Sequence, residues 1–311
     1  MKRVAIPFQF IASLSLAVVT AGFFGKWNWL LDLCSHLRSQ AVFALVVCGV
    51  LLLALERRRW GVVCLVVALG LTATLWPFYF PSGSATRTGT YRLLSLNVLA
   101  INPAKDKVID FILETDPDFI LLQETRASWI ESLDEALGET WPYHKSYARL
   151  DYFGISIYSK IPWACCELKP FSKLYSTPSL DALIELPDGK RLRLIAVHPI
   201  SPMNNDKWKS RNLHFEGIAE AVQTPEHGRT IVAGDFNCTP WSYWFRRLIR
   251  ESGLRDAMEG QGFHVTWLPI PIGIFGLPID HVLVGPDIQV TGFAVGPYVG
   301  SDHRGLVVEF E

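Results

Sequence analysis

Hydrophobic positions fall along this chain in two regimes. Up to residue 80 they form three runs nearly free of charge, 4–25, 41–55 and 60–80; from residue 91 they alternate with polar positions in short strand-like and helix-like stretches. At ~1.5 Å per residue the first and third runs reach across a ~30 Å hydrocarbon core. The middle run has 15 residues. It is short for that span and implies a thinned bilayer, a snorkelling Arg38 or re-entry. Run 4–25, behind Lys2 and Arg3, also has the form of a signal peptide, and the other two could pack as a buried hairpin. Three such runs ahead of one polar region favour a transmembrane anchor of about three helices over residues 1–80.

Basic residues orient it. Lys2 and Arg3 precede the first run and Arg57, Arg58 and Arg59 separate the second from the third, whereas the first loop carries Lys26 and Arg38. The positive-inside rule places the N-terminus and the arginine cluster in the cytoplasm and, if the middle run crosses, everything after Phe80 outside. Residues 81–90 (PSGSATRTGT) read as a linker with a reach of at most about 33 Å.

The region 91–311 alternates between the two periodicities. Strands are expected at 92–98, 118–123, 153–159, 180–186, 191–197, from 230, and at 279–284, 289–295 and 306–310. Helices are expected at 103–114, with Val108, Ile109, Ile112 and Leu113 on one face, and at 128–137, 206–222 and 241–249. A Pro-Asp-Gly-Lys turn at 187–190 joins two of the strands as a hairpin. Hairpins mixed with crossovers imply an α/β domain with mixed sheets.

Charge narrows the partners. Residues 82–311 hold 22 Lys and Arg against 28 Asp and Glu, a net of −6. An acidic domain is a poor host for extended nucleic acid, which rewards basic surfaces. The six cysteines, Cys34, Cys48, Cys64, Cys165, Cys166 and Cys238, have neither zinc-site nor disulfide spacing and read as buried free thiols.

Candidate chemistry sits at strand ends. Residues 230–237 (TIVAGDFN) read as a buried strand that presents Asp235 and Asn237 on one side. Asn97, Glu124 and His198 close other strands, Asp280 opens one, and Ser301, Asp302, His303 and Arg304 precede the last. Singly, each is an ordinary turn or capping residue; His281 alternates away from Asp280. Together, carboxylates such as Glu124, Asp235 and Asp302 suit a hard divalent cation, Mg²⁺ or alternatively Mn²⁺. A histidine such as His303 can serve as general base where a carboxylate fixes its tautomer.

Ser-Leu-Asn97, Gln-Glu124-Thr, His198-Pro, Gly-Asp235-Phe-Asn237, Ile-Asp280-His and Ser-Asp302-His303-Arg-Gly-Leu occur in this order. The pattern resembles the endonuclease/exonuclease/phosphatase superfamily over about 91–311. That resemblance implies a DNase I-like fold, a four-layered α/β sandwich with two mixed β-sheets, and Mg²⁺-dependent hydrolysis of a phosphoester by an in-line water. It implies Glu124 as principal metal ligand with Asn97 beside it and Asp302 on the metal side. It implies Asp235 as the residue that orients or deprotonates the water, Asn237 as its phosphate-side partner and His198 as a phosphate donor. His303 is implied as the catalytic histidine, oriented by Asp280. One departure is the missing acidic residue two positions after Asn97, which leaves the metal shell thinner or brings in Asn102.

An anchor followed by such a domain is similar to a bacterial membrane subgroup that includes teicoplanin-resistance proteins linked to undecaprenyl-pyrophosphate dephosphorylation. This implies a bacterial inner (cytoplasmic) membrane protein with its catalytic domain on the periplasmic or extracellular side, acting on a lipid-linked phosphoester in contact with membrane lipid. The stretch 240–247, rich in Trp and Arg, suits a membrane-facing surface or an amphipathic helix that packs its aromatics inward. The apolar loop 269–278 could dip toward lipid or cover substrate. The alternatives are an exported metal-dependent nuclease and a catalytically silent binding module.

Overall fold

The computed structural model describes residues 2–80, 90–175, 177–223, 229–269 and 273–311. The linker expected at 81–90 therefore lies outside the described residues except for Thr90, as do residues 270–272 of the apolar loop. The apolar runs form helices: α1 (Lys2–Gly22), α2 (Trp29–His36), α3 (Arg38–Ala54), α4 (Arg58–Thr72) and the short α5 (Trp76–Tyr79). Arg3–Gly22 and Arg58–Tyr79 are each long and apolar enough to cross a membrane, and α2 with α3 makes a third such element bent by 60°. The three long helices touch through small residues: Ala5 and Ala12 of α1, Ala41 and Cys48 of α3, Cys64 and Ala68 of α4. Small side chains allow the backbones to approach. A Cβ on Gly61 would lie 2.6 Å from Leu53 Cγ and 2.9 Å from the Gly49 carbonyl oxygen. Phe10, Leu14, Val50, Val66 and Leu69 are exposed on the outer faces.

Twelve strands follow: β1 (Tyr91–Asn97), β2 (Phe119–Gln123), β3 (Tyr143–Tyr147), β4 (Ile155–Ser159), β5 (Trp163–Pro170), β6 (Pro178–Glu185), β7 (Arg191–Val197), β8 (Thr230–Asp235), β9 (Arg255–Asp256), β10 (Asp280–Val284), β11 (Val290–Val295) and β12 (Leu306–Phe310). They form two mixed six-stranded sheets, in the orders β11-β12-β1-β2-β4-β3 and β5-β6-β7-β8-β10-β9. Alternation sets the layers. Leu93, Phe119 and Leu121 join Leu194, Ile231 and Ala233 between the sheets. Leu94, Leu96, Ile120 and Leu122 point the other way, onto α6 (Lys105–Thr115) and α7 (Ala127–Leu137). Ile195, Val232 and Leu283 back onto α8 (Asn205–Ala221) and α9 (Tyr243–Ser252). The result is the four-layered α/β sandwich of the DNase I type.

Two details differ from expectation, and a third decides between two alternatives. On α6 the buried face is Val108, Phe111 and Ile112, while Leu113 is 46 % exposed, because Phe111 fills the space between β1 and the Gly296–Gly305 crossing. Cys165 is an exposed thiol on the edge strand β5 rather than a buried one, and Cys34 and Cys166 are half-buried. In the 240–247 stretch, Trp241 and Phe245 are 3 % and 2 % exposed, so the aromatics pack inward as the amphipathic alternative has it, while Arg246 stays at the surface and Arg247 pairs with Glu216 and Glu251.

The helices and the sandwich are joined by packing as well as by chain. Asp32 of α2, in the loop between the first two apolar runs, is buried on the sandwich. Its Oδ2 accepts from Arg211 Nη2 at 2.5 Å and from Trp208 Nε1 at 3.2 Å, and its Oδ1 from Ser242 Oγ at 2.7 Å. His36 meets Thr239, and Gln40 Nε2 donates to the Gly276 carbonyl at 2.9 Å. At the far end of α4–α5 the Pro77 and Phe78 carbonyls accept from the Gly260 and Gly262 amides. Both members of the Asp32–Arg211 pair are fully buried. Removing one leaves the other as an uncompensated buried charge, a loss of about 3–5 kcal/mol. Asp32→Ala is therefore expected to lower the thermal unfolding temperature of the detergent-solubilised chain markedly. Glu309→Ala, which breaks the part-exposed 2.7 Å pair with Arg92, should cost less than about 1 kcal/mol in the same assay.

Candidate active site

Strand register gathers the polar strand ends. β1 and β2 run parallel with Asn97 beside Gln123, so Glu124 follows at the same edge. β7 and β8 run parallel with Val197 beside Gly234, which brings His198 next to Asp235, and antiparallel β10 sets Asp280 directly opposite Asp235. The carboxyl ends of four strands, two from each sheet, thus meet at one rim, the usual place for a ligand in an α/β fold. The approach is close: a Cβ on Gly234, whose φ is +151°, would lie 1.9 Å from the Val197 carbonyl oxygen. Glu124 (φ +65°) and Asn237 (φ +49°) adopt the left-handed conformation without being glycine, local strain of the kind that collects at working sites.

Hydrogen bonds lock the set. Asn97 Nδ2 donates to Glu124 Oε1 at 3.0 Å and to Asp235 Oδ2 at 3.2 Å, while Asn97 Oδ1 accepts from the Leu99 amide. Glu124 Oε2 accepts from the Ala100 amide at 2.9 Å. The Asn237 amide donates to Asp235 Oδ1 at 2.8 Å, and Asn237 Nδ2 donates to the Pro199 carbonyl. His303 Nδ1 lies 2.9 and 3.0 Å from the two Asp280 oxygens, and its Nε2 is 3.7 Å from Asp235 Oδ2; His198 Nε2 reaches the same oxygen at 3.3 Å. Ser301 Oγ accepts from the His303 amide and donates to the Asn97 carbonyl, fastening the last loop to β1. Asp302 accepts from Trp267 Nε1 at 2.9 Å through Oδ2, and its Oδ1 is buried without a partner.

Charges follow this geometry. Burial pushes the His303 pKa down, but the Asp280 and Asp235 carboxylates outweigh it and hold the imidazole protonated well above its ordinary range. Burial raises Asp235, yet His303 and His198 together pull it well below the usual carboxylate value. His198 is likewise raised against its burial by the Asp235 carboxylate and by Glu124, and its Nδ1 is buried without a partner. Asp235 thus lies between two imidazoles, with His198 Nε2 at 3.3 Å and His303 Nε2 at 3.7 Å from its Oδ2.

Two groups of side chains fit a metal to different degrees. Ligand atoms of Asp235, Asp280 and His303 lie within 4.8 Å of one another. The Asp280 oxygens and His303 Nδ1 are spent on each other, however, so this group is better read as a hydrogen-bonded relay. Glu124, Asn97 and Asp302 suit a hard cation better by their chemistry. They offer carboxylate and amide oxygens, no thiolate, and the unpartnered buried oxygen of Asp302. Asn102 is not part of either group. Its Nδ2 donates to the Val98 and Val299 carbonyls and its Oδ1 accepts from the Ala104 amide, so it shapes a turn. His281 is also apart, held between Asp256 Oδ2 and the Cys238 carbonyl.

A cavity of about 550 Å³ opens over these groups. Glu124, His198, Asp235, Asn237, Asp302 and His303 line it, with Asn97 and Asp280 behind. Much of its wall was not expected from sequence: Tyr152, Phe153, Ile200, Met203 and Trp267 from the sandwich, and Leu33 and His36 from α2. The aromatic and aliphatic wall residues carry no sequence signal. Asp32 and His36 lie in what reads as a loop between two apolar runs, with partners remote in sequence.

The sequence profile of the Endonuclease/Exonuclease/phosphatase family matches residues 94–303. Among solved structures, humanized TDP2 of D. rerio superposes with a TM-score of 0.60 at 18 % identity, covering 71 % of this chain and 98 % of that one. The catalytic domain of human Nocturnin with a bound sulfate anion gives 0.59 at 16 %, covering 71 % and 94 %. The 3′ phosphatase NExo from Neisseria, bound to a product DNA hairpin, gives 0.58 at 18 %, covering 71 % and 100 %. At these identities the likeness is one of fold. No curated protein matches the chain in sequence.

The electrostatic arrangement makes a direct prediction. In EDTA, Asp280→Asn should lower the His303 pKa by more than one unit, read from ¹³C/¹⁵N-histidine resonances against pH. Stability due to the dyad is full below the ordinary histidine pKa near 6.5 and is lost as pH rises through the elevated value. An unchanged His303 titration in the variant would show that Asp280 does not hold the proton.

Proposed function

The chain belongs to the endonuclease/exonuclease/phosphatase family, whose members are phosphoester hydrolases, and on that premise we propose a membrane-anchored, divalent-metal-dependent phosphohydrolase that cleaves a phosphoester or pyrophosphate presented at the bilayer surface, with a lipid-linked phosphate as its substrate class. The observation that carries this reading is the composite cavity wall. Leu33 and His36, from the segment between two apolar helices, line the same cavity as Glu124, Asp235 and His303.

Contacts support this topology. α2 touches the sandwich through Asp32, and Phe78 touches it again through Gly262. The chain between them leaves the sandwich along α3, turns at Arg57–Arg59 and returns along α4, so α3 extends from the sandwich alongside α4. The arginine turn then lies at the end remote from the sandwich. This supports residues 1–80 as a three-span anchor with a cytoplasmic N-terminus and 91–311 as the catalytic domain on the outer face of a bacterial inner membrane.

In the proposed mechanism Glu124 would hold the cation, with Asn97 and Asp302 beside it. Bound there, Mg²⁺ supplies charge neutralisation and polarisation of a phosphoryl oxygen. Asp235, kept anionic and fixed by the Asn237 amide, orients the attacking water in line and takes up its proton. His303, kept protonated by Asp280, donates toward the phosphoryl oxygens as negative charge develops, and His198, when protonated, adds its Nδ1–H. His36 extends the donor set. Its Nδ1 accepts from the Thr239 amide at 3.3 Å, so the neutral ring carries its proton on Nε2, which is buried without a partner in the cavity wall. That donor suits a second phosphate.

A nuclease is the second reading, favoured by neighbours bound to DNA. The −6 balance of the domain and the apolar cavity wall weigh against it. The test is phosphate release by the full-length chain in detergent with Mg²⁺, with undecaprenyl pyrophosphate and phospholipids beside plasmid DNA and RNA, each with an EDTA control. Turnover on lipid substrates alone, abolished by EDTA, is expected; cleavage confined to nucleic acid would overturn the reading. Asp235→Ala and His303→Ala should each cut turnover by roughly two to four orders of magnitude while the chain stays folded. Activity within a few-fold of the parent in either would remove that residue from the mechanism.

A further inference from the structure

A second cavity, of about 310 Å³, lies where the helices meet the sandwich on the α9 side, away from the residues of the catalytic cavity. Arg38, the first residue of α3, lines it and is 4 % exposed. Among the described residues this guanidinium has neither a carboxylate nor a hydrogen-bond acceptor. Its contacts are the rings of Phe23 and Trp241, with centroids 5.1 and 5.8 Å away. The charged side chain that acts on it is another cation, Arg246. Trp241 lines the same cavity, and its Nε1–H is buried without an acceptor. A guanidinium without an acceptor and a buried, unpartnered indole donor line one space, an arrangement that favours an anion there.

The other charged groups do not supply that anion. Arg246 and Arg250 stand at the rim as further cations. Asp256 is engaged by His281 Nδ1 at 2.7 Å. Glu259 lines the cavity, and among the described residues it makes no ion pair with Arg38, Arg246 or Arg250. The surroundings are those of a membrane interface. Phe23, Trp76 and Phe80 are 52 %, 61 % and 50 % exposed around the ends of the apolar helices, at the level where aromatic belts and lipid phosphates meet.

We propose that this cavity binds the phosphate of an outer-leaflet glycerophospholipid, with Arg38 and the Trp241 indole as inner donors, Arg246 and Arg250 at the rim, and the acyl chains lying along Phe23 and Trp76. The lipid wedges between α3, α5 and α9 and completes the joint between helices and sandwich. It does so independently of what the catalytic cavity hydrolyses.

The test is a thermal-shift titration of the full-length chain in a non-ionic detergent with short-chain phosphatidylglycerol. Short-chain diacylglycerol and inorganic phosphate serve as controls. The parent should show a saturable rise of several degrees with the phospholipid and none with either control. Arg38→Gln should abolish the rise. Arg246→Gln, at an exposed position, should weaken the apparent affinity at least threefold, and it carries the test if Arg38→Gln does not fold. An equal rise in both variants, or with diacylglycerol, would show that the phosphate is not recognised here. A matching rise with inorganic phosphate would make this a site for a soluble anion and overturn the lipid assignment.

Discussion

The buried Asp32–Arg211 pair is the constraint on which the rest of the molecule depends. A carboxylate in an eight-residue helix between two apolar runs meets a guanidinium on α8, and neither has access to water. Trp208, Ser242, Asn212 and Cys238 satisfy the remaining donors and acceptors, so the two charges tolerate burial. Because α8 packs on the sheet that carries His198 and Asp235, fixing α2 on α8 also fixes Leu33 and His36 against the catalytic cavity. The helical and α/β parts thereby form one cavity between them.

Within that cavity the two sheets contribute complementary charge. The first supplies Asn97 and Glu124 from the ends of β1 and β2. The second supplies His198, Asp235 and Asp280, and the loop before β12 closes the set with Asp302 and His303. Asn97 Nδ2 bridges Glu124 of one sheet and Asp235 of the other. A shift of one sheet relative to its partner would therefore break the site, so the apolar layer between them, from Leu93 to Ala233, positions the chemistry as well as stabilising the fold.

Much of this was legible in the sequence because it rests on period-two alternation. Leu306–Phe310 buries alternate residues, Arg191–Val197 is an apolar-rich run buried from Leu192 onward, and both end where expected. The polar residues at their ends stood out against apolar strands. What stayed hidden lacked that contrast. β3 (YHKSY) is almost wholly exposed and β5 is a mixed edge strand, so neither has a buried face to leave a pattern, and β9 is two residues long. On α6, helical spacing alone could not choose Phe111 over Leu113, because a three-dimensional gap decided it. α2 was hidden for a different reason. Its polar residues read as a loop between spans, and their partners lie about 180–210 residues further along the chain, beyond any local signal.

The most direct test of the joint between helices and sandwich is to place a protease site within residues 81–89 and cut the purified full-length chain in detergent. With the covalent link gone, the two fragments are expected to co-elute on gel filtration and to keep turnover within about twofold of the uncut protein, because α2 and the α5 end hold them together. Separation of the fragments on cleavage, with the isolated α/β part as active on the same substrate as the intact chain, would contradict a catalytic cavity built by both.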